Sequence, residues 1–194
     1  MTRRYELQQR ALTQLSTRQR IVEAAVALHT TVGPARTSVS EIARQAGVER
    51  NTVYSHFPDE RTLLAACSEL RGERQPLPDP ELWRTVGDPE RRLRRGLGKL
   101  YEYYERNGDA LAPIVRDAAI HAPTREIFQQ KFGKRFLLMR DVLAEPFAVR
   151  GAHRRRLLAL LELFLSLEVW RLLERTTGSR AEAVDVAVRA MRGQ

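Results

Sequence analysis

An all-α protein is what this sequence predicts, with an N-terminal three-helix helix-turn-helix domain followed by a C-terminal helical domain. Three observations carry that expectation. Apolar residues recur at helical spacing from segment to segment, and no stretch of the C-terminal half alternates apolar and polar residues as a half-buried strand would. Between Thr37 and Leu64 a capping signal, a glycine stop and a proline stop follow one another closely enough to frame two short helices and the start of a third. Gly72, Pro76, Pro78, Pro80, Gly87 and Pro89 then crowd into residues 72–89, a breaker density that marks a loop or linker. The expected division is an arm at 1–15, a helix-turn-helix domain with its connecting helix at 16–71, and a C-terminal domain at 72–194. With 43% of its 194 residues hydrophobic, the chain has enough apolar material for a proper core.

Each element has its own justification. Residues 1–15 carry Arg3, Arg4 and Arg10, which suit either a basic arm reaching into a minor groove or a plain tail or helical extension. Ser16 and Gln19 stand at capping-box spacing and open a helix whose Ile21, Ala24, Ala25 and Leu28 face inward, until Gly33-Pro34 stop it. A second capping box, Ser38 with Glu41, starts a helix at Val39 that puts Val39, Ile42, Ala43 and Ala46 on one stripe and closes at Gly47. A short helix follows from about Glu49 to Phe57, roughly two and a half turns, stopped by Pro58. The connecting helix at 59–71 turns Leu63, Leu64, Cys67 and Leu70 inward. Beyond the linker, helices fit residues 89–106, ending at Asn107-Gly108, then a short stretch up to Pro123, then 124–144, 154–175 and 180–192. The segment 154–175 is apolar around most of its circumference and so needs two partners.

The short helix at 49–57 repays phasing at about 100° per residue. With Val53 and Phe57 buried, Asn51 and Ser55 fall almost opposite, and Thr52 and Tyr54 flank them. Arg50 reaches outward on its long stem, and His56 lies at the lower edge. The exposed ridge is therefore polar and free of acids. Such a ridge can enter a major groove, where Asn pairs bidentately with adenine and Arg with guanine while hydroxyls grip phosphates.

At this point a resemblance enters. TRQRIVEAA at 17–25, Gly33, TSVSEIARQAGV at 37–48, TVYSHF at 52–57 and Leu63-Leu64 together resemble the DNA-binding domain of the tetracycline-repressor (TetR) family of bacterial regulators, over residues 17–71. The resemblance implies that Thr52, Tyr54 and His56 hold the DNA backbone and that Arg50, Asn51 and Ser55 face bases or nearby phosphates. It adds Ser40, at the start of the preceding helix, as a further contact. Two positions depart from the family pattern: Asn51, where glycine or another small residue is common, and Glu60, where a backbone-contacting lysine is expected, followed by Arg61. The family also implies a homodimer through residues 154–192, a pseudo-palindromic double-stranded operator, and a small, mostly apolar effector in the C-terminal half. Tyr101, Tyr104, Phe128, Phe132 and Met139 are the lining candidates, being large, adaptable or polar-tipped residues on faces that converge; a fully packed core is the competing reading.

Composition bounds the remaining classes. A net charge of +9 suits an anionic partner, and it divides as +4 over residues 1–57 and +5 over the longer remainder, so the shorter portion is denser in positive charge. One cysteine leaves no intramolecular disulfide or cysteine zinc cluster, and Cys67 reads as a buried structural thiol. No Gly-rich phosphate loop, His-Glu-x-x-His or serine elbow is present, and the histidines at 29, 56, 121 and 153 are scattered, so neither catalysis nor a metal or cofactor is expected. No apolar run approaches the ~20 residues of a membrane span and the N-terminus lacks a signal-peptide core, which places the expected compartment in the cytoplasm. The expected function is a one-component transcriptional regulator, most simply a repressor released by its ligand. The alternative is a ligand-independent, nucleoid-organising DNA-binding protein of the same fold.

Overall fold

The computed structural model describes residues 2–192, with side chains from Leu12 onward, and shows no strand among them. The helices are α1 (Thr2–Thr31), α2 (Val39–Ala46), α3 (Arg50–His56), α4 (Glu60–Arg74), α5 (Pro89–Ile120), α6 (Ala122–Phe128), α7 (Lys134–Ala144), α8 (Gly151–Phe164), α9 (Leu167–Thr177) and α10 (Arg180–Met191). They form two compact units, one of residues 1–76 with 109–129 and the other of residues 77–108 with 130–194.

In the first unit, Ile21, Val22, Ala24 and Ala25 of α1 pack against Ile42, Ala43 and Ala46 of α2, Val53 and Phe57 at α3, and Leu63, Ala66 and Cys67 of α4. The Cys67 thiol lies 3.9 Å from the Val22 carbonyl, and burial pushes its pKa up to about 12, which keeps it an unreactive core residue. Helix α1 does not begin at Ser16. Its backbone is helical from Thr2, because no proline or glycine interrupts residues 2–15 and an available capping box does not by itself end a helix that can continue upstream. The side chains of Arg3, Arg4 and Arg10 lie outside the described residues.

The end of α1 is fixed from a distance. Gly33 adopts φ 105°, and a Cβ there would stand 2.3 Å from Oδ2 of Asp117, a carboxylate with no solvent exposure. That oxygen accepts the Ala35 N–H at 2.9 Å, while Arg116 binds Asp117 Oδ1 at 2.8 Å and the Val32 carbonyl at 2.8 Å. His29 is buried beside this carboxylate. Desolvation lowers its pKa to about 4, opposed in part by Asp117 and reinforced by His121.

The second unit is pinned by Arg92. Its buried guanidinium donates to the carbonyls of Val86, Arg84 and Val142 and to Glu145, so every branch of this cation is compensated. Gly96 allows close packing, since a Cβ there would meet Leu143 at 2.6 Å and Trp83 at 3.0 Å.

Three helical spans differ from the sequence expectation. Helix α5 runs through Asn107-Gly108 and Pro113 as far as Ile120. Asn107 donates its side-chain amide to the Tyr103 carbonyl, and Gly108 is a notch for Trp170, whose ring would lie 2.7 Å from an added Cβ. The span 124–144 is interrupted by a π-helical turn, Gln129–Gly133, between α6 and α7. The span 154–175 breaks at Leu165-Ser166, where Ser166 caps α9 by accepting the Val169 N–H at 3.3 Å. Tyr101 and Tyr104 stabilise that break by donating their hydroxyls to the Phe164 and Leu165 carbonyls at 3.0 and 2.6 Å.

Candidate DNA-binding surface

Local chemistry sets the surface. At the start of α2 the Ser38 hydroxyl accepts the Glu41 N–H at 3.2 Å, and the Glu41 carboxylate accepts the Ser38 N–H at 2.9 Å and its hydroxyl at 2.8 Å. These bonds hold the Glu41 pKa below its usual range. At the other end Gly47 takes φ 64° and ψ 43°, the left-handed geometry that lets the Gly47 and Val48 N–H groups close the helix on the Arg44 and Ala43 carbonyls. That turn delivers α3.

Val53 and Phe57 are buried beneath α3, which settles its rotation. Arg50, Asn51, Tyr54 and Ser55 are exposed, Thr52 and His56 are half-buried at the flanks, and Ser40 is exposed in the first turn of α2. The ridge residues thus lie on the face of α3 away from Val53 and Phe57, and Ser40 is exposed on α2. Within the ridge Arg50 donates to the Tyr54 hydroxyl at 3.2 Å, with its guanidinium 5.7 Å from the ring centroid, and Ser55 donates to the Thr52 carbonyl. A groove-bound ridge would exchange these internal partners for phosphate or base atoms. One supporting residue was not legible in the sequence: Arg18 of α1 stacks 4.9 Å over the Phe57 ring and braces the end of α3.

The two departures resolve differently. Asn51 stands exposed on the ridge, free of any steric demand for glycine. Glu60 lies 3.5 Å from His121, the N-cap of α6, and Arg61 binds Glu126 of α6 through two bonds of 2.6 and 3.1 Å. Glu60 and Arg61 therefore turn to α6 and its N-cap.

The effector-lining candidates are distributed unevenly. Tyr101 and Tyr104 are buried in α5, their ring centroids 6.5 Å apart, and both hydroxyls are engaged at the α8–α9 break. Met139 of α7 is fully buried and Phe132 half-buried in the second unit, whereas Phe128 belongs to the first. The sequence reading missed Trp170, whose ring centroid is 5.6 Å from that of Tyr104 and whose buried indole N–H finds no acceptor among the described residues. Treating 154–175 as one helix hid the bend that delivers it. Among the described residues, no group of three or more His, Cys, Asp or Glu could hold a metal ion, and no helix is long and apolar enough to cross a membrane.

Comparison with known proteins agrees with the local geometry. Residues 21–67 match the family model described as bacterial regulatory proteins, tetR family. Over 54 residues the chain is 43% identical to the HTH-type transcriptional regulator AcrR of Shigella flexneri, covering 28% of this chain and 25% of that protein. Over 47 residues it is 45% identical to an uncharacterized HTH-type transcriptional regulator of Mycobacterium tuberculosis, covering 24% and 25% respectively. The match thus spans about a quarter of the length of these curated relatives. A linker-substituted mutant of HlyIIR superposes with TM-score 0.67 at 16% identity, covering 93% of this chain and all of that one. A tetR-family transcriptional regulator from Streptomyces coelicolor does so with TM-score 0.57 at 19% identity, covering 90% and 80%. At such identities the structures speak for the fold, while the α2–α3 head carries the sequence signature. Residues 21–67 thus carry the signature of the tetR family of bacterial regulatory proteins.

Proposed function

We propose that the chain is a one-component transcriptional regulator that binds double-stranded DNA by inserting α3 into the major groove. The observation that carries this reading is the ridge: α3, which follows the left-handed Gly47 closing the capped α2, is buried through Val53 and Phe57 and exposes Arg50, Asn51, Tyr54 and Ser55 with no acid among them. In this reading Tyr54, Thr52 and His56 engage phosphates, Arg50, Asn51 and Ser55 face bases or nearby phosphates, and Ser40 adds a contact from α2. Glu60 and Arg61 are left out of the contact set, a choice supported by their ion pairs with His121 and Glu126.

The finer reading is a repressor. A homodimer through residues 154–192 presents two heads to a pseudo-palindrome, with half-sites a helical turn or a multiple of it apart. Leu163 and Leu172, each about half exposed on α8 and α9, support that assignment. Residues 72–194 serve as the effector and dimerisation domain, and a small, mostly apolar ligand lined by Tyr101, Tyr104, Phe132 and Met139 of the second unit releases the DNA by favouring one spacing of the heads. The test is a footprint of the purified protein on DNA upstream of its own gene, with hydrophobic compounds then titrated into the complex. Two protected half-sites that open on addition of a compound are expected. Protection without twofold symmetry, or insensitive to every compound, returns the ligand-independent alternative.

A further inference from the structure

We propose that the exposed basic run around the start of α8, Arg150, His153, Arg154, Arg155 and Arg156, is a second nucleic-acid-binding surface that takes the phosphate backbone without reading sequence. Every residue from Arg150 to Arg156 is exposed, and α8 meets its core only from Leu157 onward. No acid lies between Glu145 and Glu162 in the chain. Glu145 is engaged by Arg84 and Arg92, and Glu162 by Arg140 at 2.6 Å. None of the four guanidinium groups has an ion-pair or hydrogen-bond partner among the described residues, whereas those of Arg61, Arg74, Arg84, Arg92, Arg94, Arg116, Arg140, Arg180 and Arg192 all have one. What sets this block apart is density: four unpaired guanidinium groups within seven residues, with no acid from 146 to 161, suit an external anion.

The shape of the block selects the kind of anion. Consecutive residues on a helix point about 100° apart, so Arg154, Arg155 and Arg156 fan over a wide arc and cannot close together on one small anion. A polymer with charges repeated along its length can meet them in turn. Among residues 148–156 there is no exposed large hydrophobic side chain. A protein partner would want an apolar core to its interface and a lipid surface would want bulky apolar anchors, while nucleic-acid interfaces are polar and strongly positive. This surface belongs to a different helix from α3 and does not depend on the operator reading.

The experiment uses the full chain with the α3 head disabled by Arg50→Ala, Asn51→Ala and Tyr54→Ala. Binding to a duplex without operator sequence is followed by fluorescence anisotropy across a salt series, with R150Q/R154Q/R155Q/R156Q added in a second protein. The head-disabled protein is expected to keep salt-dependent duplex binding, and the four glutamines to lessen the slope of log K against log salt by about 3 to 4, the loss of roughly four phosphate contacts, and to weaken low-salt binding at least about tenfold. R155Q alone, the milder change should the quadruple variant not fold, is expected to reduce the slope by about 1. Loss of all duplex binding in the head-disabled protein, or unchanged binding after the glutamine substitutions, overturns the proposal. So does equal displacement of the duplex by polyglutamate or anionic vesicles, or conversion of a dimer to monomers by the glutamines, which would make the block a subunit interface.

Discussion

Asn51 and Tyr54 lie about one turn apart on the exposed side of α3, and the proposed reading gives them different chemistry. Asn51 offers a donor and an acceptor to a base edge, so Asn51→Ala is expected to erode discrimination between operator and mismatched DNA by about 1–3 kcal/mol. Tyr54 offers a hydroxyl to phosphate, so Tyr54→Ala should weaken all duplexes alike, and competition titrations separate the two patterns. Gly33→Ala meets two obstacles at once, a φ of 105° and a Cβ placed 2.3 Å from Asp117 Oδ2. A loss on the order of 2 kcal/mol or more in chemical denaturation is expected, and an unchanged midpoint would contradict the assigned contact. His29 gives a pH signature. Its folded pKa, about 4, lies below the ordinary value of 6.5, so above pH 6.5 it is neutral folded or unfolded and carries no penalty. Between pH 6.5 and 4 the unfolded chain takes up the proton first, and stability should fall by an amount of order 3 kcal/mol before the loss saturates. The carboxylates of Glu23, Glu41 and Glu126, held below 4.5, lose their contributions at lower pH still. His29→Gln should flatten the upper part of that acid limb in a stability titration.

Elements set by neighbours in sequence were legible, and elements set by distant neighbours were not. The α2 start, the Gly47 turn and the burial of Val53 and Phe57 all follow from residues within a few positions, so the exposed ridge could be drawn from spacing alone. The run of α5 through Asn107-Gly108 could not, because the glycine serves Trp170, which lies more than fifty residues away in sequence. The α8–α9 break was hidden by apolar residues on all sides, and its stabilising hydroxyls come from α5. These points change the expected behaviour of variants. Gly108→Ala gains helix propensity of up to about 1 kcal/mol but drives a methyl into Trp170, at a typical cost of about 1–3 kcal/mol for overpacking, so a lower melting temperature is expected. Leu165 would have been the natural position at which to charge the dimer face, but it is buried within its own chain, so Leu165→Glu should unfold the second unit. Leu163 is half exposed, and Leu163→Glu is expected to give a folded monomer by light scattering; a dimer that persists would move the interface off α8.

For the molecule as a whole, the family signature occupies residues 21–67, while the fold likeness extends over most of the chain at low identity. The reading head is thus the part whose chemistry is most directly specified, and the remainder supplies geometry around it. Charge fits this division: the head presents a ridge without acids, whereas elsewhere most arginines are tied into ion pairs with named carboxylates. The central claim is that α3 selects specific DNA sites. It is tested most directly by mapping the DNA occupied across the protein's own genome, for the wild type and for the Asn51→Ala, Tyr54→Ala double variant. A small set of sites sharing a twofold-symmetric motif, including one beside the protein's own gene, all vacated by the double variant, is the predicted result; occupancy spread across the genome without a motif, or symmetric sites still filled by the double variant, would contradict it.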